Sequence, residues 1–178
     1  MKRGILLWMI VLAVWGCQDR KTCSEQQRQD DMEAVTMVLE RYIIANETKQ
    51  LDLIRRVWAP DSDIMVFGTD SDERLVGWDQ IKQTVEAQFR QFEETYIAMT
   101  DPIIKVNETC NTAWFSAILN YSYVAGGKAM GYEGLRFTGV LEKKINQWYI
   151  VQSHISLPAD RSLLNTEDLQ TEIPLPEE

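Results

Sequence analysis

Apolar positions along the chain repeat with two different periods. Between Asp30 and Thr48 they fall at Met32, Val35, Leu39, Tyr42 and Ile43. Steps of three and four residues put one buried stripe on a helix. Leu51, Ile54, Val57 and Trp58 continue the pattern in a second short helix, which Pro60 stops. Ile64–Phe67 reads as a short strand, and Gly68–Arg74 as an Asp-rich polar turn. Val76-Gly77 then leads into a third helix with Trp78, Ile81, Val85, Phe89 and Phe92 on one face. Asp79 lies in its first turn, where a negative charge suits the helix dipole.

After Thr95 the period shortens to two. Tyr96–Val106 is extended, and Pro102 predicts an edge strand or a bulge there. Ala113, Phe115, Ala117, Leu119, Tyr121 and Tyr123 alternate cleanly on one face of a strand over Ala113–Val124. Ala125-Gly126-Gly127 and Lys144-Ile145-Asn146-Gln147 predict tight turns around strands Tyr132–Lys143 and Trp148–Leu157. Helices first and an antiparallel meander afterwards predict an α+β fold: a curved antiparallel sheet wrapped around the N-terminal helix, with a pocket between them.

The first sixteen residues do not fit this scheme. Lys2 and Arg3 precede an apolar run from Ile5 to Trp15, too short to span a bilayer comfortably but suited to a signal peptide. Val14-Trp15-Gly16-Cys17 resembles a bacterial lipobox, although Trp15 stands where a small residue is usual. The expected organisation is a signal peptide over 1–16, a lipidated Cys17, a tether over 17–29, the domain over 30–158 and an acidic tail over 159–178. Gln18 rather than Asp after Cys17 resembles sorting to the periplasmic face of the outer membrane, so the membrane is reached through a lipid anchor.

Charge and cysteines narrow the chemistry. The 178 residues carry a formal net charge of −9, which repels phosphate backbones and argues against nucleic acid as a partner. Cys23 and Cys110 could form a disulfide outside the cytoplasm, tying the tether to the domain, or remain two unrelated thiols. With one histidine and no CxxC, no metal site is expected, and no motif calls for a cofactor.

Three stretches resemble the SnoaL-like branch of the NTF2-like superfamily. They are Leu75-Val76-Gly77-Trp78-Asp79-Gln80-Ile81, then Asn111-Thr112-Ala113-Trp114-Phe115-Ser116, then the hairpin from Arg136-Phe137-Thr138 to Trp148 and His154-Ile155-Ser156. The resemblance covers about Asp30 to Pro158. It extends more distantly to the association domain of calcium/calmodulin-dependent kinases. It implies a cone with a pocket at its open end, in a superfamily whose members commonly dimerise. Functions there range from isomerases and cyclases to ligand binders and assembly modules, so fold alone does not assign one.

Candidate site residues follow from chemistry. His154 could shuttle protons or bond a ligand, or be a buried histidine satisfied by a neighbour. Counted from the turn, it shares parity with Trp148, Ile150, Gln152 and Ser156. Arg136 could clamp a carboxylate or pair with Glu133 or Glu142. Both are expected to border the pocket, with Trp58, Phe67, Trp114 and Tyr121 among its walls or in the core. Tyr132 is a further aromatic candidate. Asp63, Asp70 and Asp72 lie in or beside loops and are expected to face water. Neither these nor Glu133 matches a catalytic aspartate, which leaves catalysis open. The reading is a lipid-anchored domain holding a small apolar or anionic ligand, against the alternatives of an acid–base enzyme or a dimeric assembly module.

Overall fold

The computed structural model describes residues 22–159. The expected signal peptide, Cys17 and the tail beyond Ala159 lie outside the described residues. Three helices come first or early: α1 (Glu25–Glu47), α2 (Leu51–Val57) and α3 (Trp78–Gln91). Six strands make one sheet: β1 (Met65–Phe67), β2 (Arg74–Val76), β3 (Glu94–Val106), β4 (Thr112–Ala125), β5 (Lys128–Lys144) and β6 (Gln147–Ser156). Their order is β2-β1-β6-β5-β4-β3.

Helix α1 starts five residues earlier than expected, inside the proposed tether. Ser24 supplies the reason: its hydroxyl caps the helix by accepting from the Gln27 N–H at 3.1 Å. The sheet is mixed rather than wholly antiparallel, because β1 runs parallel to β6. Strand β2 was not expected; it begins at Arg74, the last residue of the expected polar turn. It folds back on β1 around the Asp-rich loop, pairing Phe67 with Arg74.

Several local predictions coincide with observed geometry. Strand β3 is one edge of the sheet, and its register with β4 shifts between Thr100 and Ile103, around Pro102. Gly126 and Gly127 turn the β4–β5 hairpin at φ +56° and +72°, values that glycine adopts without steric cost. Gly77 has φ +78° at the start of α3 and donates to the Ile64 carbonyl.

The core lies between α1 and the concave side of the sheet. Val35, Val38 and Leu39 of α1 pack with Phe115, Leu119, Phe137, Leu141 and Ile150. Tyr42 stacks on Phe137 with ring centroids 5.3 Å apart. Fully burying a side chain such as Phe137 contributes roughly 1.5–3 kcal/mol. Glu47, at the end of α1, accepts from the Ile97 N–H of β3 at 2.8 Å. A Cys23–Cys110 disulfide joins the start of α1 to the β3–β4 turn, with Cα atoms 5.8 Å apart.

Candidate functional site

One register shift decides which way the C-terminal strand points. Leu141 pairs with Ile150, but Val140 pairs with Gln152, so Val151 is an extra residue in β6. A bulge of this kind reverses side-chain parity beyond it. Trp148 and Ile150 face the core on one side of the bulge, and Ser153 and Ile155 on the other. His154 is therefore turned out and exposed. Arg136, between buried Leu135 and Phe137, is exposed on the same outer face. This corrects the expectation that the two border the interior pocket. His154 pairs with Thr138 on one side and with Phe67 on the other, and its ring lies 6.0 Å from that of Phe67.

The remaining expected wall residues separate. Trp58 is 2% exposed and belongs to the core, bridging to Ile150. Trp114, 49% exposed, and Phe67, 40% exposed, lie with His154 on the outer face. Of the six expected ligand-contacting residues, Tyr121 is the one that lines the interior cavity.

That cavity holds about 290 Å³ and opens between the C-terminal half of α1, α3, the β1–β2 loop and the strands β4 to β6. Tyr42 and Asn46 reach it from α1, Gln88 from α3, Tyr121 from β4 and Tyr132 from β5. Phe92, Leu135 and Ile155 supply apolar wall, and Asp70 and Glu73 stand at the loop side. The volume sits at the small end of the range for small-molecule sites, roughly 300–1,000 Å³.

Each polar group is positioned from below. Asn46 is 4% exposed, and its amide donates to the Tyr42 carbonyl one turn back at 2.8 Å. The Gln88 amide donates to the Tyr121 hydroxyl at 2.5 Å. Glu73 folds over Gly68. A Cβ there would sit 1.9 Å from Glu73 Oε2, so the missing side chain leaves room for the carboxylate. The same oxygen accepts from the Asp70 N–H at 3.3 Å.

The electrostatics favour neutral phenols. Burial pushes the Tyr42 hydroxyl far above the usual tyrosine range, and nearby Tyr121 and Glu73 push it further. Burial raises Tyr121 to about 12, against the opposing hydrogen bonds from Thr95 and Gln88. A hydrogen bond with Tyr123 is the main cause of a rise at Tyr132. At neutral pH all three are hydrogen-bond donors facing two carboxylates at the rim. Among the described residues, no group of three or more histidine, cysteine or acidic side chains is gathered to hold a metal ion.

Sequence reasoning passed over Tyr42, Asn46, Glu73 and Gln88 as site residues. Asn46 carried a readable signal: it follows Tyr42 by one turn and so extends the apolar stripe of α1 with an amide. Glu73 carried none, because its position depends on the unexpected β1–β2 hairpin.

Solved structures share this architecture. An NTF2-like superfamily protein from Salmonella enterica superposes with a TM-score of 0.67 at 20% identity, covering 74% of this chain and 94% of that one. A candidate scytalone dehydratase from Novosphingobium aromaticivorans gives 0.66 at 13%, covering 76% and 89%. A candidate calcium/calmodulin-dependent kinase II association domain from Xanthomonas campestris gives 0.61 at 19%, covering 71% and 86%. At these identities the likeness shows the fold alone. No curated protein matches the sequence. The model of the SnoaL-like domain matches residues 35–160, and the chain belongs to that family, with an NTF2-like fold.

Proposed function

We propose that the cavity binds a small, uncharged molecule rich in hydrogen-bond acceptors, without converting it. The observation that carries this is the convergence of Tyr42, Tyr121 and Asn46 on a cavity of about 290 Å³ with apolar flanks. Protonated phenols in a low-dielectric wall offer strong donors to a carbonyl or ether oxygen. Asp70 and Glu73 at the rim disfavour an anion, and Arg136 and His154, once expected there, face outward. The test is native mass spectrometry of protein purified from its host, beside a Thr84→Trp variant that fills the cavity. A bound adduct in the parent and none in the variant is expected. An adduct retained in full by the variant would sink the reading.

A second reading, acid–base catalysis, has one observation in its favour. Glu73 is a carboxylate facing phenols, a pairing that can accept and donate protons. Glu73→Gln separates the two readings: a binder keeps its adduct, and an enzyme accumulates unconverted substrate.

The proposal includes the cell envelope. The apolar run before Gly16-Cys17 supports a lipid anchor at Cys17. A Cys17→Ala variant that still fractionates with membranes would remove that part. The outer face of the sheet supports homodimerisation. Trp114, Val140, Gln152, Met65 and Val76 form one cross-strand row, and Ile103, Ser116, Thr138, His154 and Phe67 the next. Ile103 and Trp114 on one side of this face, and Phe67 and Val76 on the other, are each at least 40% exposed, with Val140 and Met65 between them, an amount of exposed apolar surface of the kind that marks an interaction surface.

A further inference from the structure

A second concavity lies around a different side of α1. It is an open groove of about 610 Å³ between α1, α2 and the β5–β6 hairpin, and it shares no lining residue with the tyrosine cavity. At 100° per residue, Ala34, Met37, Val38 and Arg41 sit about a quarter turn from Tyr42 and Asn46.

Every charged side chain lining this groove is an arginine: Arg41 from α1, and Arg55 and Arg56 from α2. This is notable in a chain of net charge −9. None of the three has a carboxylate within 4.0 Å among the described residues. Asp52, one turn back from Arg55 and Arg56 on α2, pairs with neither, and two further acids close in the chain or sheet are already engaged. Asp61 follows Pro60 of the wall, Glu142 lies cross-strand from Tyr149, and Lys144 holds both at 2.7 and 3.0 Å. Arg55 is fixed in place: its Nη1 donates to the carbonyls of Trp58 and Ala59 at 3.2 and 3.5 Å, and its guanidinium lies 4.9 Å over the Trp78 ring. Trp58, Trp148 and Tyr149 back the groove with aromatic carbon, which lowers the local dielectric and strengthens charge interactions above it.

We propose that this groove is a binding site for a phosphate-bearing ligand. The forks of Arg41 and Arg56, with the donors that Arg55 has left after its two carbonyls, exceed what one carboxylate can accept, and they suit the non-bridging oxygens of a phosphate, three in a monoester and two in a diester. The phosphate comes either from a soluble ester or from a phospholipid headgroup. The chemistry of recognition is shared, and the site is independent of the tyrosine cavity.

The test titrates the full domain with inorganic phosphate at low ionic strength, reading the arginine Nε–H resonances by NMR. Chloride at matched ionic strength is the control. The expected result is saturable shifts at Arg41, Arg55 and Arg56 with phosphate and none with chloride. Arg41 and Arg56 are exposed, so the Arg41→Ala/Arg56→Ala pair leaves the fold intact. It is expected to weaken phosphate binding at least tenfold. A Glu73→Gln variant, altered only in the other cavity, is expected to bind phosphate like the parent. Co-sedimentation with phosphatidylglycerol vesicles then separates the sources: loss of sedimentation in the arginine pair assigns a headgroup, and no sedimentation of the parent assigns a soluble ester. Shifts that do not saturate, equal shifts with chloride, or unchanged affinity in the arginine pair would overturn the proposal.

Discussion

Trp148 donates its indole N–H to Oδ1 of Asp31 at 2.9 Å, in a contact that is buried on both sides. Lys143 Nζ shares the same oxygen at 2.6 Å. A carboxylate near the start of α1 thereby grips the β5–β6 hairpin across 117 residues of sequence. Asp31→Ala would leave a buried indole N–H and a largely buried ammonium without their acceptor. Unfolding in urea is expected to show a loss of about 2–4 kcal/mol at an unchanged slope. Asp31→Asn, which keeps one acceptor, is expected to lose less.

The raised tyrosines predict an alkaline limb of instability. Above pH 10 the unfolded chain gives up its Tyr121 proton while the folded domain holds it until about 12. The unfolded state then binds fewer protons, so stability falls as pH rises through this window and is fully present below it. Tyr121 alone accounts for a loss of order 2–3 kcal/mol, and Tyr42 adds in the same direction. Denaturant midpoints measured across that window are expected to decline, and Tyr121→Phe to flatten the decline.

Gly68→Ala tests the placement of Glu73. The new methyl occupies the space of the carboxylate, whose Cβ, Cδ and Oε2 would all lie within 3 Å of it. Glu73 must swing away, and the Asp70 N–H loses its acceptor. Because the loop is at the surface, stability is expected to change by less than about 1 kcal/mol. The Asp70 amide resonance is expected to move, and retention of any cavity adduct to fall several-fold.

Val140→Glu tests the dimer. A charge placed between Trp114 and Gln152, inside the outer rows, cannot be buried unpaired against a second copy. Light scattering is expected to show the molar mass halve while far-ultraviolet circular dichroism stays unchanged. A parent protein that is monomeric at high concentration would remove the premise.

Much of the architecture was legible because burial and period coincide. The alternation from Ala113 to Tyr123 could belong only to a half-buried strand, and the structure buries that face. Pro102 marked the edge strand because it cannot donate to a ladder. The failures have equally local causes. Strand β2 is three residues long, which is too short for a period to show, and its partner exists only once β1 has a place in the sheet. The outward turn of His154 rests on Val151, one inserted residue that no composition or spacing distinguishes from its neighbours. The tyrosine cavity was hidden for a third reason: its walls come from six elements, and convergence of that kind is a property of topology rather than of any window of sequence.

The Cys23–Cys110 bond closes a loop of 87 residues. Reduction, or Cys110→Ser, is expected to lower stability by up to about 4–5 kcal/mol in the chain-entropy account. The urea midpoint with and without reductant measures it.

The same bond also sets where a mechanical load enters the domain. Cys23 is held twice at the β3–β4 turn, through the disulfide and through its N–H to the Glu108 carbonyl at 2.8 Å. Tension arriving along the preceding residues therefore passes into the end of the sheet through a covalent link. Helix α1, which forms the floor of both the tyrosine cavity and the arginine groove, begins after that junction and is spared the direct pull. A domain tugged from its N-terminal side would feel the load first at the β3–β4 turn, and α1 would be loaded only through its packing on the sheet.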